Sequence, residues 1–180
     1  MRVLLTREQI GQKTRELARA VSRDFLGKTP VLIGILKGSV FFMADFMRHL
    51  DLDHEIDFIS ISSYSSGVRS SGTVRLLKDL DQDITGRDVL IVEDIIDSGL
   101  SLSYLRKNLL ARNPRSLAIV TLLDKRVPRE RQVYVDYVGF QIDDQFVIGY
   151  GLDCAERFRE LPCVAVMEPE DERRVREGRH

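Results

Sequence analysis

The feature that most constrains the fold is a 13-residue stretch, residues 89–101, with the sequence VLIVEDIIDSGLS. It begins with a run of branched apolar residues, which is typical of a strand buried on both faces of a parallel sheet. Glu93, Asp94 and Asp97 follow, and a turn of small and hydroxyl-bearing residues then leads into a segment with helical periodicity. A strand, a turn and a helix in this order place the acidic residues at the carboxyl edge of the sheet, where open α/β folds bind ligands.

The turn at residues 97–101 carries groups that suit a phosphate. It offers backbone N–H groups, the hydroxyls of Ser98 and Ser101, and the N-terminus of the predicted helix. The chain has neither G-x-x-x-x-G-K-[ST] nor G-x-G-x-x-G, which argues against a P-loop or a dinucleotide-binding fold. Because carboxylates repel phosphate, we expect Glu93 and Asp94 to face ribose hydroxyls or a Mg²⁺ ion carried by a pyrophosphate.

Periodicity elsewhere predicts alternating strands and helices. Thr6 and Gln9 fit a capping box in front of an amphipathic helix that ends at Gly27. Residues 88–123 form a strand-helix-strand unit, which predicts parallel pairing with a right-handed crossover. Further strand candidates are residues 31–35, 54–62, 73–77, 133–140, 146–149 and 163–166, and a further helix is predicted at residues 40–50.

Length and composition limit the classes of protein. A chain of 180 residues that is 43% hydrophobic suits one domain. Its 27 basic and 28 acidic residues create no general positive field, so we expect no nucleic-acid partner. The N-terminus becomes charged before an apolar signal segment develops. No segment approaches the roughly 18 apolar residues of a membrane span. Both observations predict a cytoplasmic protein without a membrane partner. Cys154 and Cys163 are predicted to be free thiols.

The stretch at residues 89–101 resembles the 5-phosphoribosyl-1-pyrophosphate (PRPP) binding motif of the type I phosphoribosyltransferases, and specifically of the hypoxanthine-guanine phosphoribosyltransferases. The resemblance implies an α/β fold with a mostly parallel central sheet flanked by helices and a small hood over its carboxyl edge. Residues 1–180 would form one phosphoribosyltransferase domain, with the hood built from the N-terminal helix and the residues after about 140. We expect residues 168–180 to be a charged, solvated tail that frays.

The same resemblance implies roles for the motif. Glu93 and Asp94 would contact the ribose hydroxyls or the metal, and Asp97 would be the catalytic residue that exchanges a proton with N7 of a purine. The 5′-phosphate would be bound by Asp97, Ser98, Gly99, Leu100 and Ser101. The family more often has Thr at the positions of Ser98 and Ser101, but the hydroxyl is retained, so we expect phosphate binding to survive.

Two other segments resemble loops of this family. Residues 36–39, Leu-Lys-Gly-Ser, match the pyrophosphate loop, in which the peptide after Leu36 can be cis, and they imply that Lys37 and Gly38 bind pyrophosphate together with Arg159. Ser63 and Tyr64, with the Ser/Gly-rich residues that follow, match a lid that closes over the reacting centre. A lid has a chemical purpose here because water easily captures an oxocarbenium-like ribosyl centre.

The base site is implied by residues near the end of the chain. Lys125 would donate to the 6-oxo group of a purine, Phe146 would stack on the ring, and the backbone of Val147 would meet its Watson–Crick edge. Asp153 would help to position Mg²⁺.

The resemblance thus implies a glycosyltransferase of purine salvage that moves 5-phosphoribosyl from PRPP to N9 of hypoxanthine or guanine. The products would be IMP or GMP and pyrophosphate, the cofactor Mg²⁺, and the assembly a homodimer or homotetramer. One alternative is an RNA-binding pyrimidine-operon regulator with uracil phosphoribosyltransferase activity, which Asp97 and the near-neutral charge disfavour. A PRPP-synthetase-like or purely sensory binding protein without transfer activity is disfavoured by Lys125 and the base segment. A xanthine-selective enzyme stays open, because the three 6-oxopurines differ only at C2.

Overall fold

The computed structural model describes residues 1–63, 74–129 and 131–178. Its elements in chain order are β1 (Arg2–Leu5), α1 (Arg7–Asp24), β2 (Val31–Leu36), α2 (Val40–Arg48), β3 (Glu55–Ser63), β4 (Val74–Lys78), β5 (Asp88–Ile96), α3 (Leu100–Leu110), β6 (Ser116–Lys125), β7 (Tyr137–Ile142), β8 (Val147–Ile148), β9 (Val164–Val166) and α4 (Pro169–Arg176). None of the helices within the described residues is long and apolar enough to span a bilayer.

The main sheet contains six strands in the order β4-β3-β2-β5-β6-β7. Neighbouring strands are parallel except for β3 and β4, which are antiparallel. Strands β2 and β5 lie in the middle of the sheet, and their apolar runs are buried because both faces are covered. Parallel pairing puts the carboxyl ends of β2, β5 and β6 at one edge, where the sequence analysis predicted a ligand site.

Alternate residues of the central strands feed two cores. Leu32 and Leu90 face a core that is shared with α1 and α2, whereas Val31 and Ile33 face a core that is shared with α3. This alternation follows from the two-residue repeat of a strand, and it explains why β2 and β5 contain no polar face. The predicted α/β architecture with a mostly parallel sheet flanked by helices is therefore confirmed.

A small antiparallel sheet with the order β1-β9-β8 is formed by the two ends of the chain. Arg2 pairs with Val166, and Val147 pairs with the same residue on the other side. Strand β1 was not predicted. Apolar side chains of α1 pack in one core together with residues of both sheets, and the division of residues 1–180 into one domain with a hood stays a prediction.

The capping box of α1 is confirmed. Thr6 Oγ accepts a hydrogen bond from the Gln9 backbone N–H (3.2 Å), and the Thr6 N–H donates to Gln9 Oε1 (2.8 Å). The helix ends at Asp24 with Phe25 as its C-cap, slightly before the predicted end at Gly27.

Two expectations need correction. Strand β5 continues to Ile96, so Glu93 and Asp94 lie inside the strand and not after it. The residues after 168 do not fray along their whole length, because Pro169–Arg176 forms α4. Proline at the first helical position, acidic residues in the first turn and arginines in the last turn all favour a helix there.

Candidate active site

A cleft of about 490 Å³ opens at the carboxyl edge of the main sheet. The predicted site residues that line it are Lys37, Gly38, Glu93, Asp94, Asp97, Lys125, Phe146, Val147, Asp153 and Arg159. An adjoining hollow of about 250 Å³ shares several walls with it. That hollow is lined by Glu93, Asp94, Asp97, Ser98, Gly99 and Ser101. The fold thus gathers residues from the motif, the pyrophosphate loop and the base segment, although their individual roles stay predictions.

Three predicted residues lie elsewhere. Leu100 begins α3, next to the phosphate turn. Ser63 is the last residue of β3, a strand whose Ile61 lines the cleft. Tyr64 lies outside the described residues, so the predicted lid stays a prediction.

The loop after β2 approaches the motif closely. The peptide between Leu36 and Lys37 is cis. A Cβ atom at Gly38 would collide with the carboxylate of Asp94, and a Cβ at Gly151 would collide with the Gly38 carbonyl. Glycine at both positions therefore lets the pyrophosphate loop, the motif and the base segment meet in one place.

The phosphate turn is shaped by Gly99, which is the N-cap of α3 and has φ +77°. A Cβ there would lie 2.5 Å from the backbone oxygen of Arg131, so a side chain is excluded both by conformation and by space. Ser98 Oγ accepts a hydrogen bond from the Leu100 N–H at 3.3 Å. An anion bound at this helix N-terminus would accept hydrogen bonds from backbone N–H groups in the same way. The turn has the shape of a small anion cradle.

Lys125 joins the motif to the base segment. Its Nζ lies 3.2 Å from Asp97 Oδ2 and 3.6 Å from Asp144 Oδ1. The lysine side chain is 11% exposed, whereas that of Asp97 is 60% exposed and open to a ligand. Asp144 was not predicted from the sequence, although its position two residues before Phe146 would have been a signal.

Glu93 and Asp94 differ in their surroundings. Desolvation raises the pKa of the Glu93 carboxyl well above its ordinary value, and the neighbouring charge of Asp94 raises it further. Asp94 Oδ1 accepts a hydrogen bond from the Ile95 N–H at 2.8 Å. The oxygens of both carboxyl groups can form hydrogen bonds with sugar hydroxyls, which suits the pair to ribose.

Arg159, which lines the cleft, is the centre of a charged network. One of its terminal nitrogens donates to the Gly151 carbonyl at 2.7 Å, and the other lies 2.9 Å from Asp153 Oδ1. Glu156 Oε2 contacts this second nitrogen at 3.3 Å and Lys37 Nζ at 2.7 Å. The hydrogen bond from Lys37, followed by that from Arg159, lowers the pKa of the Glu156 carboxyl. Glu156 was not predicted from the sequence.

Phe146 contacts the C-terminal helix. The guanidinium of Arg176 on α4 lies 5.7 Å from the centre of the Phe146 ring, within the range of a cation–π interaction. Helix α4 therefore supports the aromatic residue that the resemblance assigns to base stacking.

Comparisons with known proteins agree with this geometry. A family model described as "Phosphoribosyl transferase domain" matches residues 3–155. The chain belongs to the phosphoribosyltransferase family. It is 48% identical over 168 residues to a protein of Bacillus subtilis (strain 168) named hypoxanthine-guanine phosphoribosyltransferase, with 93% of each chain covered. It is 49% identical over 164 residues to the hypoxanthine phosphoribosyltransferase of Escherichia coli (strain K12), covering 90% of this chain and 92% of that one.

The likeness extends to solved structures of the family. A crystal structure of a hypoxanthine-guanine phosphoribosyltransferase from Bacillus anthracis matches with a TM-score of 0.89 and 48% identity, and it covers 93% of this chain and 99% of the other. These matches confirm both the resemblance recognised at residues 89–101 and the type I phosphoribosyltransferase fold.

The carboxylates of this phosphoribosyltransferase cleft fit Mg²⁺ only with help from a ligand. Glu93, Asp94 and Asp153 offer oxygen donors, the type that Mg²⁺ takes. Asp153 is already paired with Arg159 in a salt bridge and accepts a hydrogen bond from the Glu156 N–H. Among the described residues no three His, Cys, Asp or Glu side chains are grouped to hold a metal. The residues therefore suit a Mg²⁺ ion that receives most of its ligands from phosphate oxygens and water.

Proposed function

We propose that this phosphoribosyltransferase transfers the 5-phosphoribosyl group of PRPP to N9 of hypoxanthine or guanine. The products are IMP or GMP and pyrophosphate, which places the enzyme in purine salvage. The names of the similar proteins from B. subtilis and E. coli support this substrate class.

The observation that carries the purine assignment is the pair formed by Lys125 and Asp97, 3.2 Å apart in the cleft. In a 6-oxopurine, O6 and N7 lie next to each other on one edge, and N7 can carry a proton. A lysine ammonium can donate to O6 while a neighbouring carboxyl group exchanges a proton with N7. Uracil has no N7, so a uracil-specific enzyme would have no use for Asp97 in this place.

PRPP fits the rest of the site by charge and shape. We infer that the 5′-phosphate binds at the turn of residues 97–101 and that the ribose hydroxyls meet Glu93 and Asp94. The pyrophosphate then lies towards Lys37 and Arg159, two cations that line the cleft. Phe146 would stack on the base, and the backbone of Val147 would meet its Watson–Crick edge.

In the proposed reaction, pyrophosphate departs as the bond between C1′ and its oxygen breaks, and N9 of the purine forms the new bond to C1′. Orientation of the two substrates and stabilisation of the developing charges supply most of the rate. Lys37 and Arg159 stabilise the negative charge of the leaving group. Asp97 removes or returns the proton at N7, which contributes about a hundred- to ten-thousandfold.

We also propose that the enzyme uses Mg²⁺, is cytoplasmic and forms a homodimer or homotetramer, as the family resemblance implies. When bound, Mg²⁺ would neutralise charge on the pyrophosphate, and Glu93, Asp94 and Asp153, which line the cleft, would offer it oxygen ligands.

The direct test supplies purified protein with PRPP, MgCl₂ and one base at a time: hypoxanthine, guanine, xanthine or uracil. We expect formation of the nucleotides of hypoxanthine or guanine. Lys125→Met should reduce the rate at which both bases are converted. Lys107→Met, which changes an exposed lysine on α3, should leave turnover unchanged. Turnover of uracil without hypoxanthine or guanine would contradict the proposal, and turnover of xanthine alone would replace it with the xanthine-selective alternative.

A further inference from the structure

Glu156 occupies the position of an anion between two cations of the cleft. Its Oε2 atom lies 2.7 Å from Lys37 Nζ and 3.3 Å from a terminal nitrogen of Arg159. These are the two basic residues on which the proposed function places pyrophosphate. A single carboxylate oxygen therefore holds both of them before any substrate arrives.

The backbone around Glu156 keeps the carboxylate in this position. Ala155, Glu156 and Phe158 have φ angles of 51°, 64° and 76°, a region that residues with a side chain rarely adopt. Cys154 and Arg157 exchange backbone hydrogen bonds of 3.1 Å, and the Glu156 N–H donates to Asp153 Oδ2 at 2.9 Å. A tight turn in an unusual conformation thus directs Glu156 towards the cations, and such conformations concentrate at functional sites.

The other partners of Arg159 are more firmly fixed than Glu156. The Gly151 carbonyl belongs to the backbone, and the Asp153 side chain is 31% exposed, against 65% for Glu156. The Nε atom of Arg159 is buried and has no hydrogen-bond partner within the described part of the chain. An incoming anion can therefore reach Lys37 and Arg159 most easily by displacing Glu156, which only has to move into solvent.

We propose that Glu156 is an internal competitor of pyrophosphate, which sets the affinity of the cleft for PRPP and for the pyrophosphate product. This inference rests on the proposed function. The carboxylate keeps the two cations paired in the free enzyme, and it returns to them as pyrophosphate leaves. Removal of its charge strengthens binding of the pyrophosphate moiety and leaves binding of the purine base unchanged.

The test compares Glu156→Gln with the wild-type protein by calorimetric titration of inorganic pyrophosphate in MgCl₂ and by steady-state kinetics. The variant should bind pyrophosphate about three- to tenfold more tightly, the range expected when the two ion pairs of the exposed Glu156 carboxylate no longer compete. The KM for PRPP should fall by a similar factor, whereas the KM for the purine base should not change. Glu160→Gln is the matched control, because Glu160 is exposed, carries the same charge and contacts none of the cations.

A double-mutant cycle with Lys37→Met separates competition from a structural role of the turn. If Glu156 acts by pairing with Lys37 and Arg159, the gain from Glu156→Gln should become smaller when Lys37 is already replaced, whereas an unchanged gain would overturn the inference and assign the effect to the turn. Equal or weaker pyrophosphate binding by Glu156→Gln would overturn the inference, as would an equal gain in Glu160→Gln. A wild-type protein that neither binds pyrophosphate nor uses PRPP would instead refute the proposed function.

Discussion

At the scale of single residues, the cleft keeps its basic side chains paired with acidic ones. Lys125 lies between Asp97 and Asp144, and Lys37 is paired with Glu156. Each cation is thus held near the position where a substrate oxygen would bind, and each carboxylate is a partner that the substrate must replace or share. This arrangement reduces the movement needed when the reacting groups meet.

Replacing Asp97 by asparagine tests its role as the proton carrier. Asp97→Asn keeps the size and polarity of the side chain but removes the ability to take a proton, so we expect turnover with hypoxanthine to fall by about a hundred- to ten-thousandfold. The KM for PRPP should remain close to the wild-type value. Steady-state kinetics with both substrates varied would measure this.

The control for this variant is Asp51→Asn, which alters an exposed aspartate that lines neither the cleft nor the adjoining hollow. Its turnover should equal that of the wild-type protein. An unchanged rate in Asp97→Asn would remove Asp97 from the proposed mechanism. Lys125 would then be the side chain that recognises the purine.

The motif and the family resemblance located most of the cleft residues, but neither indicated Glu156. The residues of the motif are contiguous, so their chemistry is visible in the sequence itself. Glu156 and Lys37 are separated by 119 positions, and their contact depends on a turn whose φ angles no local pattern indicates. Contacts of this kind depend on the tertiary structure and cannot be predicted from local patterns in a single sequence.

At the scale of elements, the local signals worked best where a helix or strand is stabilised by its own residues or buried on both faces. The capping box of Thr6 and the apolar run of β2 were both correctly predicted. Strand β1 was missed because four residues give too little periodicity, and because its partner β9 lies at the other end of the chain. Helix α4 was missed because its charged sequence has no buried face, although its Pro169 and its charge order favour a helix.

The turn between β5 and α3 depends on Gly99 more than on its hydroxyl residues. Gly99→Ala would place a Cβ 2.5 Å from the Arg131 carbonyl oxygen and would force alanine into a left-handed conformation. The conformational cost alone is about 1–2 kcal/mol in the free energy of unfolding, and the collision adds to it. We also expect the KM for PRPP to rise, because the turn must shift. Urea denaturation and kinetics would measure the two effects.

Gly27→Ala is the matched control for this prediction. Gly27 also has φ +77°, but a Cβ there would have no neighbour within 4 Å. The variant should lose only the conformational part, about 1–2 kcal/mol, and should keep the wild-type KM for PRPP. A loss in Gly99→Ala no larger than that in Gly27→Ala, with unchanged PRPP kinetics, would show that the turn tolerates a side chain.

At the scale of the whole molecule, the parallel sheet brings together residues from distant parts of the chain at one edge. The cleft combines the ends of β2, β5 and β6 with the segment around β8, so it exists only when the sheet is complete. Asp88 fixes the opposite end of β5. Its buried carboxylate accepts hydrogen bonds from Arg115 and from Ser116 Oγ, and it thereby ties β5 to the start of β6.

The ion pair between Asp88 and Arg115 should make the stability of the fold depend on pH. The hydrogen bond from Arg115 lowers the pKa of the Asp88 carboxyl against the opposing effect of burial, and Ser116 contributes further. The unfolded chain has an ordinary aspartate pKa of about 3.9, so the stabilisation is fully present above that value and is lost as the pH falls through the lower folded pKa. The free energy of unfolding should therefore decrease steadily below about pH 4.

The variant Asp88→Asn should show a smaller decrease over the same range of pH. At pH 7 it should also be less stable by about 1–3 kcal/mol, because the buried amide cannot satisfy both donors as the carboxylate does. Arg115→Gln, which removes the partner and keeps Asp88, should flatten the pH dependence as well, since the pKa of Asp88 then rises towards its ordinary value. Urea denaturation monitored by circular dichroism between pH 2 and pH 7 would measure all three proteins. If the slope below pH 4 is the same in Asp88→Asn and the wild-type protein, acid sensitivity arises from other carboxylates and the link between β5 and β6 is not its source.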